Sequence, residues 1–248
     1  MNESLSGKAA LITGGARRVG AAIARRLHAA GANVLLHYRD SESEAAKLES
    51  ELNALRPKSA SKVKAELLAP IAPRALVSAA RDSFGRLDIL VNNASSFFPV
   101  EVGSIESSHW EELIGSNLRA PLFICQEARP ELSDHEGSII NIVDIHAERP
   151  LRGYPIYSVA KAGLAALTRS LAIELAPRVR VNGVAPGAIA WPEDGQLDPA
   201  ERERIVATTP LARVGSPEDV AQAVHFLACA PFVTGQIIAV DGGRSIYL

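Results

Sequence analysis

A short apolar run, Lys8 to Thr13, leads straight into the turn Thr13-Gly14-Gly15-Ala16-Arg17-Arg18-Val19-Gly20, and the turn leads into a helical stripe from Val19 to Ala30. Ala22, Ile23, Ala24 and Leu27 lie on that stripe, and Gly31 stands where a helix ends. Strand, glycine turn and helix in that order constrain the fold more than any other feature of the chain. Glycine lets the backbone turn tightly and brings bare N–H groups to a helix start, where an anion is favoured.

The same rhythm continues. Val34–Tyr38, Ser61–Glu66, Leu87–Asn92, Ser138–Val143, Arg180–Ala185 and Gln236–Val240 read as further strands. Between them, Ser41–Arg56, Arg74–Phe84, Ser108–Gln126, Tyr154–Leu175 and Pro217–Ala228 read as helices, with Pro121 expected to kink or interrupt the third. Alternation of this kind predicts a single α/β domain over residues 1–248: a Rossmann-type, doubly wound parallel sheet with helices on both faces. Ligands are expected at the carboxyl ends of its strands. One stretch breaks the pattern. Pro186 to Thr209 carries Gly187, Trp191, Pro192, Gly195 and Pro199, with charges crowded from Glu201 to Arg204. A connection so long and polar is expected to be a substrate lid, near 187–209.

Composition removes several classes of function. The 26 basic and 28 acidic residues leave a net charge of −2, no field for nucleic acid or an anionic membrane. No apolar run approaches the ~18 residues of a spanning helix. Met1-Asn2-Glu3-Ser4 lacks the basic start and apolar stretch of a secretory signal. Cys125 and Cys229 stand far apart without a CxxC pair or clustered histidines, so no metal site is expected and a cytoplasmic location is.

The glycine turn is placed to hold the pyrophosphate of a dinucleotide. Arg17 and Arg18 add full charges where the helix end offers only about half of one. The end of the second strand selects the dinucleotide. A carboxylate there binds a ribose 2′-hydroxyl, whereas an arginine binds a 2′-phosphate. This strand ends His37-Tyr38-Arg39, which argues for NADPH, although Asp40 follows at once.

A reactive pair lies further on. Tyr157 and Lys161 are four apart in a helical stretch and so share a face. Tyrosine titrates near pH 10, and an adjacent ammonium is expected to lower that value so that the phenol can exchange protons near neutrality. Asp144 follows a buried strand and should face the same cleft, and Asn117 lies in a helix where it can align water toward the lysine.

Thr13-Gly14, Asn92-Asn93-Ala94, Asn117, Tyr157-x-x-x-Lys161, Asn182, Pro186-Gly187 and Asp241-Gly242-Gly243 occur in this order. Together they resemble the short-chain dehydrogenase/reductase pattern along essentially the whole chain. Within that superfamily the sequence is similar to the pteridine reductases. Arg18 replaces a usual glycine, Asn92-Asn93-Ala94-Ser95-Ser96-Phe97 replaces the commoner Asn-Asn-Ala-Gly, and Asp144 stands thirteen before the tyrosine in place of serine. Pro150-Leu151-x-Gly153-Tyr154-x-Ile156-Tyr157 is similar again.

The resemblance implies NADPH-dependent reduction of a pterin C=N bond, with dihydrobiopterin, dihydromonapterin or dihydrofolate as substrate. It implies that Arg17, Ser95, Phe97, Asp144, Tyr154 and Tyr157 line the pterin site, Phe97 stacking the ring against the nicotinamide. Catalysis would fall to Asp144, Tyr157, Lys161 and Asn117, with Lys161 on the nicotinamide ribose and Asn117 holding a relay water. Gly14, Arg17, Arg18 and Val19 would hold the phosphates, and His37, Tyr38, Arg39, Glu66 and Leu67 the adenosine end. Asn93, Ala94, Ser95, Pro186 and Gly187 would complete the dinucleotide site, beside Tyr157 and Lys161. A homotetramer is implied too. The long insertions of the protozoan members are absent, and Ile246-Tyr247-Leu248 lacks the basic residue with which some relatives reach a neighbour's site. Two alternatives accompany this reading: a reductase of ketones such as 3-oxoacyl thioesters, and an idle NADP-binding regulator.

Overall fold

The computed structural model describes residues 4–191 and 198–247. Seven parallel strands form one sheet: β1 (Ala9–Ile12), β2 (Asn33–Tyr38), β3 (Ala60–Lys64), β4 (Ile89–Asn92), β5 (Ser138–Ile142), β6 (Arg180–Pro186) and β7 (Ile237–Val240). Their order across the sheet is β3-β2-β1-β4-β5-β6-β7. The chain thus winds outward from β1 in one direction and from β4 in the other. This is the doubly wound arrangement read from the alternation, with the reversal between β1 and β4.

Helices α1 (Arg18–Ala29), α2 (Glu42–Leu55), α3 (Ala72–Phe84), α4 (Ser107–Ile114), α5 (Ala120–Asp134), α6 (Pro155–Glu174), α7 (Pro199–Ala207), α8 (Pro217–Cys229) and α9 (Arg244–Tyr247) follow the strands. Strand side chains alternate between two cores. Ala10 and Ile12 of β1 join α1, α2 and α8 on one face, whereas Leu11 joins α3, α5 and α6 on the other. β1, β4 and β5 are buried along their whole lengths. Strands covered on both faces read as continuous apolar runs, which is why the sequence marks them so clearly. Among the described residues no helix is long and apolar enough to cross a membrane.

Two expectations need correction. The helix read as Ser108–Gln126 is two α-helices joined by a π turn, Gly115–Arg119, and it runs on to Asp134. Pro121 does interrupt it, but one turn upstream. Proline has no N–H to give the carbonyl four residues back, at Asn117, and the Ala120 amide instead bonds Gly115 five residues back. The segment near 187–209 is also not all loop. Asp198 caps α7 by accepting from the Ala200 amide at 2.6 Å, and Pro199 sits in the first turn. The centre of that segment, residues 192–197 with Pro192 and Gly195, lies outside the described residues.

The glycine turn packs without slack. Gly14 has φ +61°, and a Cβ on Gly20 would lie 2.7 Å from Asn93 Nδ2 and closer still to the Gly14 carbonyl oxygen. Gly20→Ala is therefore expected to destabilise the chain by about 1–3 kcal/mol through overpacking. Urea denaturation would read this as a lower midpoint at constant slope, and an unchanged midpoint would contradict the packing.

Candidate active site

At the carboxyl ends of β1, β2, β4 and β5 opens a cleft of about 640 Å³, within the range of small-molecule sites. Its floor is the point where the strand order reverses. Thr13 Oγ1 accepts the amides of Asn93 at 2.9 Å and Ala94 at 3.0 Å. Asn93 Nδ2 donates in return to the carbonyls of Thr13 at 2.9 Å and Gly14 at 3.0 Å. The loops leaving β1 and β4 are thus tied together below the cleft. No side chain caps the start of α1, and its first turn holds no carboxylate.

Most of the residues expected to hold a dinucleotide do line this cleft: Gly14, Arg17, Arg18, Val19, His37, Tyr38, Arg39, Glu66, Leu67, Asn93, Ala94, Ser95, Tyr157, Lys161 and Pro186. Gly187 does not. Its α-carbon packs on Asp241, and a Cβ there would lie 2.7 Å from the Asp241 Cβ. The two arginines of the turn diverge. Arg17 forms an ion pair with Glu44 of α2 at 3.9 Å. Arg18, held at φ +47°, reaches across to the carbonyls of Ile189 and Ala190 at 3.5 and 3.3 Å. The arginine that spans to the segment after β6 is thus Arg18, while Arg17 lines the same cleft as Asp144 and Tyr157.

His37 is neutral. Its Nδ1 accepts the Gly14 amide at 3.0 Å while its Nε2 donates to the Ala65 carbonyl at 3.1 Å, and burial pushes its pKa down. This bond ties the end of β2 to the glycine turn.

The reactive cluster differs from expectation in its charges. Tyr157 and Lys161 do share a face of α6, and Lys161 Nζ sits 5.6 Å from the Tyr157 ring centre. The ammonium, however, donates to the Ile142 carbonyl at 2.9 Å, and the phenol donates to Asp144 Oδ2 at 2.7 Å. The phenol's neighbour is therefore a carboxylate. Burial and then Asp144 raise Tyr157 well above its ordinary value near 10, with the Ser95 hydroxyl acting the other way. The expected lowering is absent. Burial pushes Lys161 down to about 8. Asp144 also caps the short 3₁₀ turn Ile145–Ala147, its Oδ1 accepting from the His146 amide at 2.8 Å. One carboxylate thus has a structural and a chemical partner.

Asn117 sits in the π turn with its amide engaged. Nδ2 donates to the carbonyls of Ser96 at 2.9 Å and Leu113 at 3.0 Å, and Oδ1 accepts from Ser95 Oγ at 2.7 Å. Its side chain braces the 95–96 loop. Phe97 stacks face to face on Tyr154 at 4.5 Å and meets Tyr157 edge-on at 4.8 Å. Neither Phe97 nor Tyr154 lines the main cleft; they stand beside it over Tyr157. Asn182 and Asp241 are structural. Asn182 binds the Val233 carbonyl and the Gln236 amide, and Asp241 accepts the amides of Gly243 and Ser245. Sequence reasoning missed Glu112 and Ser116, which also line the cleft. Their four-residue spacing just before Asn117 was the available signal.

The family model described as enoyl-(acyl carrier protein) reductase matches residues 14–245. The chain is 39% identical to pteridine reductase 1 of Leishmania tarentolae over 99% of both chains. That alignment runs over 289 positions, more than the 248 residues here, so the relative's insertions have no counterpart. The chain is 37% identical to 3β-hydroxysteroid dehydrogenase 1 of Eggerthella lenta, over 100% of this chain and 97% of the relative. It is 35% identical to 3-oxoacyl-[acyl-carrier-protein] reductase of Staphylococcus aureus, over 96% of this chain and 98% of the relative.

Two predictions follow from the titrating groups. Replacing Asp144 by Asn removes the charge that holds the phenol proton, so the Tyr157 pKa should fall. The phenolate absorbance difference between D144N with and without Tyr157→Phe reads this, and an unshifted titration would exclude the carboxylate as the cause. His37 and His28 are both pushed down by burial. Between the folded and unfolded values the unfolded chain binds more protons, so the stability these two histidines contribute is full above about pH 6.5 and is lost as pH falls below it. Tm should drop over that window, with a shallower slope in His37→Gln; equal slopes would remove His37 from the account.

Proposed function

The chain belongs to the short-chain dehydrogenase/reductase family and is an oxidoreductase, and on that premise we propose that it reduces the C=N bond of a pterin with NADPH. One observation carries the reading: the hydrogen bond between Tyr157 and Asp144, at 2.7 Å. A ketone oxygen needs only a neutral donor beside the tyrosine. A ring C=N needs its nitrogen protonated as the carbon is reduced, and a carboxylate that accepts the phenol's hydrogen bond fixes where that proton donor stands. Similarity to a pteridine reductase supports the same choice.

The cleft fits the cofactor on its own features. It combines an uncapped helix start, two arginines at the glycine turn and a third at the end of β2. Gly14 to Val19 would hold the pyrophosphate, Arg39 the 2′-phosphate, Glu66 and Leu67 the adenine, and Lys161 the second ribose. When bound, the reduced nicotinamide supplies a hydride to the substrate carbon.

The chain's own residues manage the proton. Tyr157, held above its ordinary value, keeps its proton at neutral pH and gives it to the substrate nitrogen. Asp144 orients the phenol through their shared hydrogen bond. Lys161, at about 8, is the group nearby whose proton is most readily exchanged near neutrality. Tyr154 covers one face of Phe97, so a flat heterocycle would pack on the other. Exposed Leu122 and Phe123 on α5 and Val159 and Ile173 on α6 support assembly into a homotetramer. The reading places the protein in the cytoplasm.

A second reading has support in the 3-oxoacyl reductase relative: reduction of a short-chain ketone. NADPH oxidation with dihydrobiopterin and with an acetoacetyl thioester separates the two. Dihydrobiopterin should be turned over, and D144N should lower its kcat/KM by about 100-fold or more while NADPH affinity stays within about twofold. Turnover of the thioester alone would establish the ketone reading, and tight NADPH binding with neither turned over would indicate a regulator.

A further inference from the structure

Arg39, the cation that this reading gives to the 2′-phosphate, is not alone at the end of β2. Its Nε donates to Asp40 Oδ2 at 2.9 Å, and its second nitrogen lies 3.5 Å from Glu112 Oε1. The two carboxylates differ in kind. Asp40 is 78% exposed, so water and salt screen it. Glu112 comes from α4, is 32% exposed and lines the cleft itself.

Glu112 is also held in place. The same Oε1 that faces Arg39 accepts a hydrogen bond from Ser96 Oγ. The Ser96 carbonyl in turn accepts from Asn117 Nδ2 at 2.9 Å, and Asn117 is buried in the π turn. This frame aims a fixed negative charge at the guanidinium. An arriving phosphate must displace that carboxylate from Arg39 and then sit near it, and both effects have the same sign.

We propose that Glu112 is a specificity-determining residue that opposes 2′-phosphorylated dinucleotides and so limits the preference for NADPH over NADH. The inference rests on the adenosine end of the cofactor lying against Arg39. Arg39 supplies the attraction, and Glu112 sets how much of it a phosphate can use.

The test titrates NADPH and NADH into the full chain by fluorescence, in wild type, E112Q and E112A. Gln keeps an acceptor for Ser96 and Ala does not, so a change common to both variants reports the charge. The ratio of NADH to NADPH dissociation constants should rise about 3- to 10-fold in both variants at low salt, and the rise should shrink as salt screens the charge. A ratio that is unchanged or falls in E112Q would overturn the proposal, as would a rise that ignores ionic strength. The wild-type ratio judges the NADPH reading separately. A wild type that binds both equally would sink that reading, while the shift in E112Q would still decide the role of Glu112.

Discussion

Where β1 and β4 part company, the backbone groups at their carboxyl ends lose their ladder partners just where a ligand must enter. Thr13 and Asn93 resolve this between them, the hydroxyl taking two amides and the amide side chain serving two carbonyls. Left unpaired, each such buried group would cost about 1–3 kcal/mol. The crossed bonds hold the two loops at one spacing, and the glycine turn, the start of α1 and the 93–97 loop all inherit their positions from it. Gly20 closes against this floor so tightly that a methyl group has no room. His37 extends the same frame sideways by binding the Gly14 amide, which sets the end of β2 against the turn.

What the sequence reveals best is what periodicity controls. Strands buried on both faces announce themselves as apolar runs, and alternation with helices forces a parallel sheet. The site residues on strand ends and on the glycine turn were legible for the same reason, since a strand end fixes where a residue stands. Elements without a buried face were not. α7 buries no side chain, so no stripe betrays it, and only Asp198-Pro199 signals its start. The π turn was half legible, because Pro121 shows that a donor is missing but not which carbonyl gives way. Side-chain direction was the least legible of all. Arg17 and Arg18 are adjacent and identical in kind, yet Arg18, at a positive φ, reaches the 189–190 carbonyls while Arg17 pairs with Glu44.

The reactive cluster shows why helical spacing alone misleads about charge. Residues four apart share a face, but the long lysine side chain passes under the ring and ends on the Ile142 carbonyl. The carboxylate that meets the phenol comes from another element, where its position is set by capping the turn after β5. No count along α6 could have shown it. Burial then acts oppositely on the two neighbours, because it disfavours whichever form is charged. The phenol is pushed up and the ammonium down to about 8. Asp144 raises both, yet burial is the larger influence on each, so the gap between them widens. As pH rises the ammonium loses its proton first and the phenol keeps its own. The phenol is thereby the weaker acid of the pair: it stays protonated at neutral pH and yields its proton only to an atom more basic than itself.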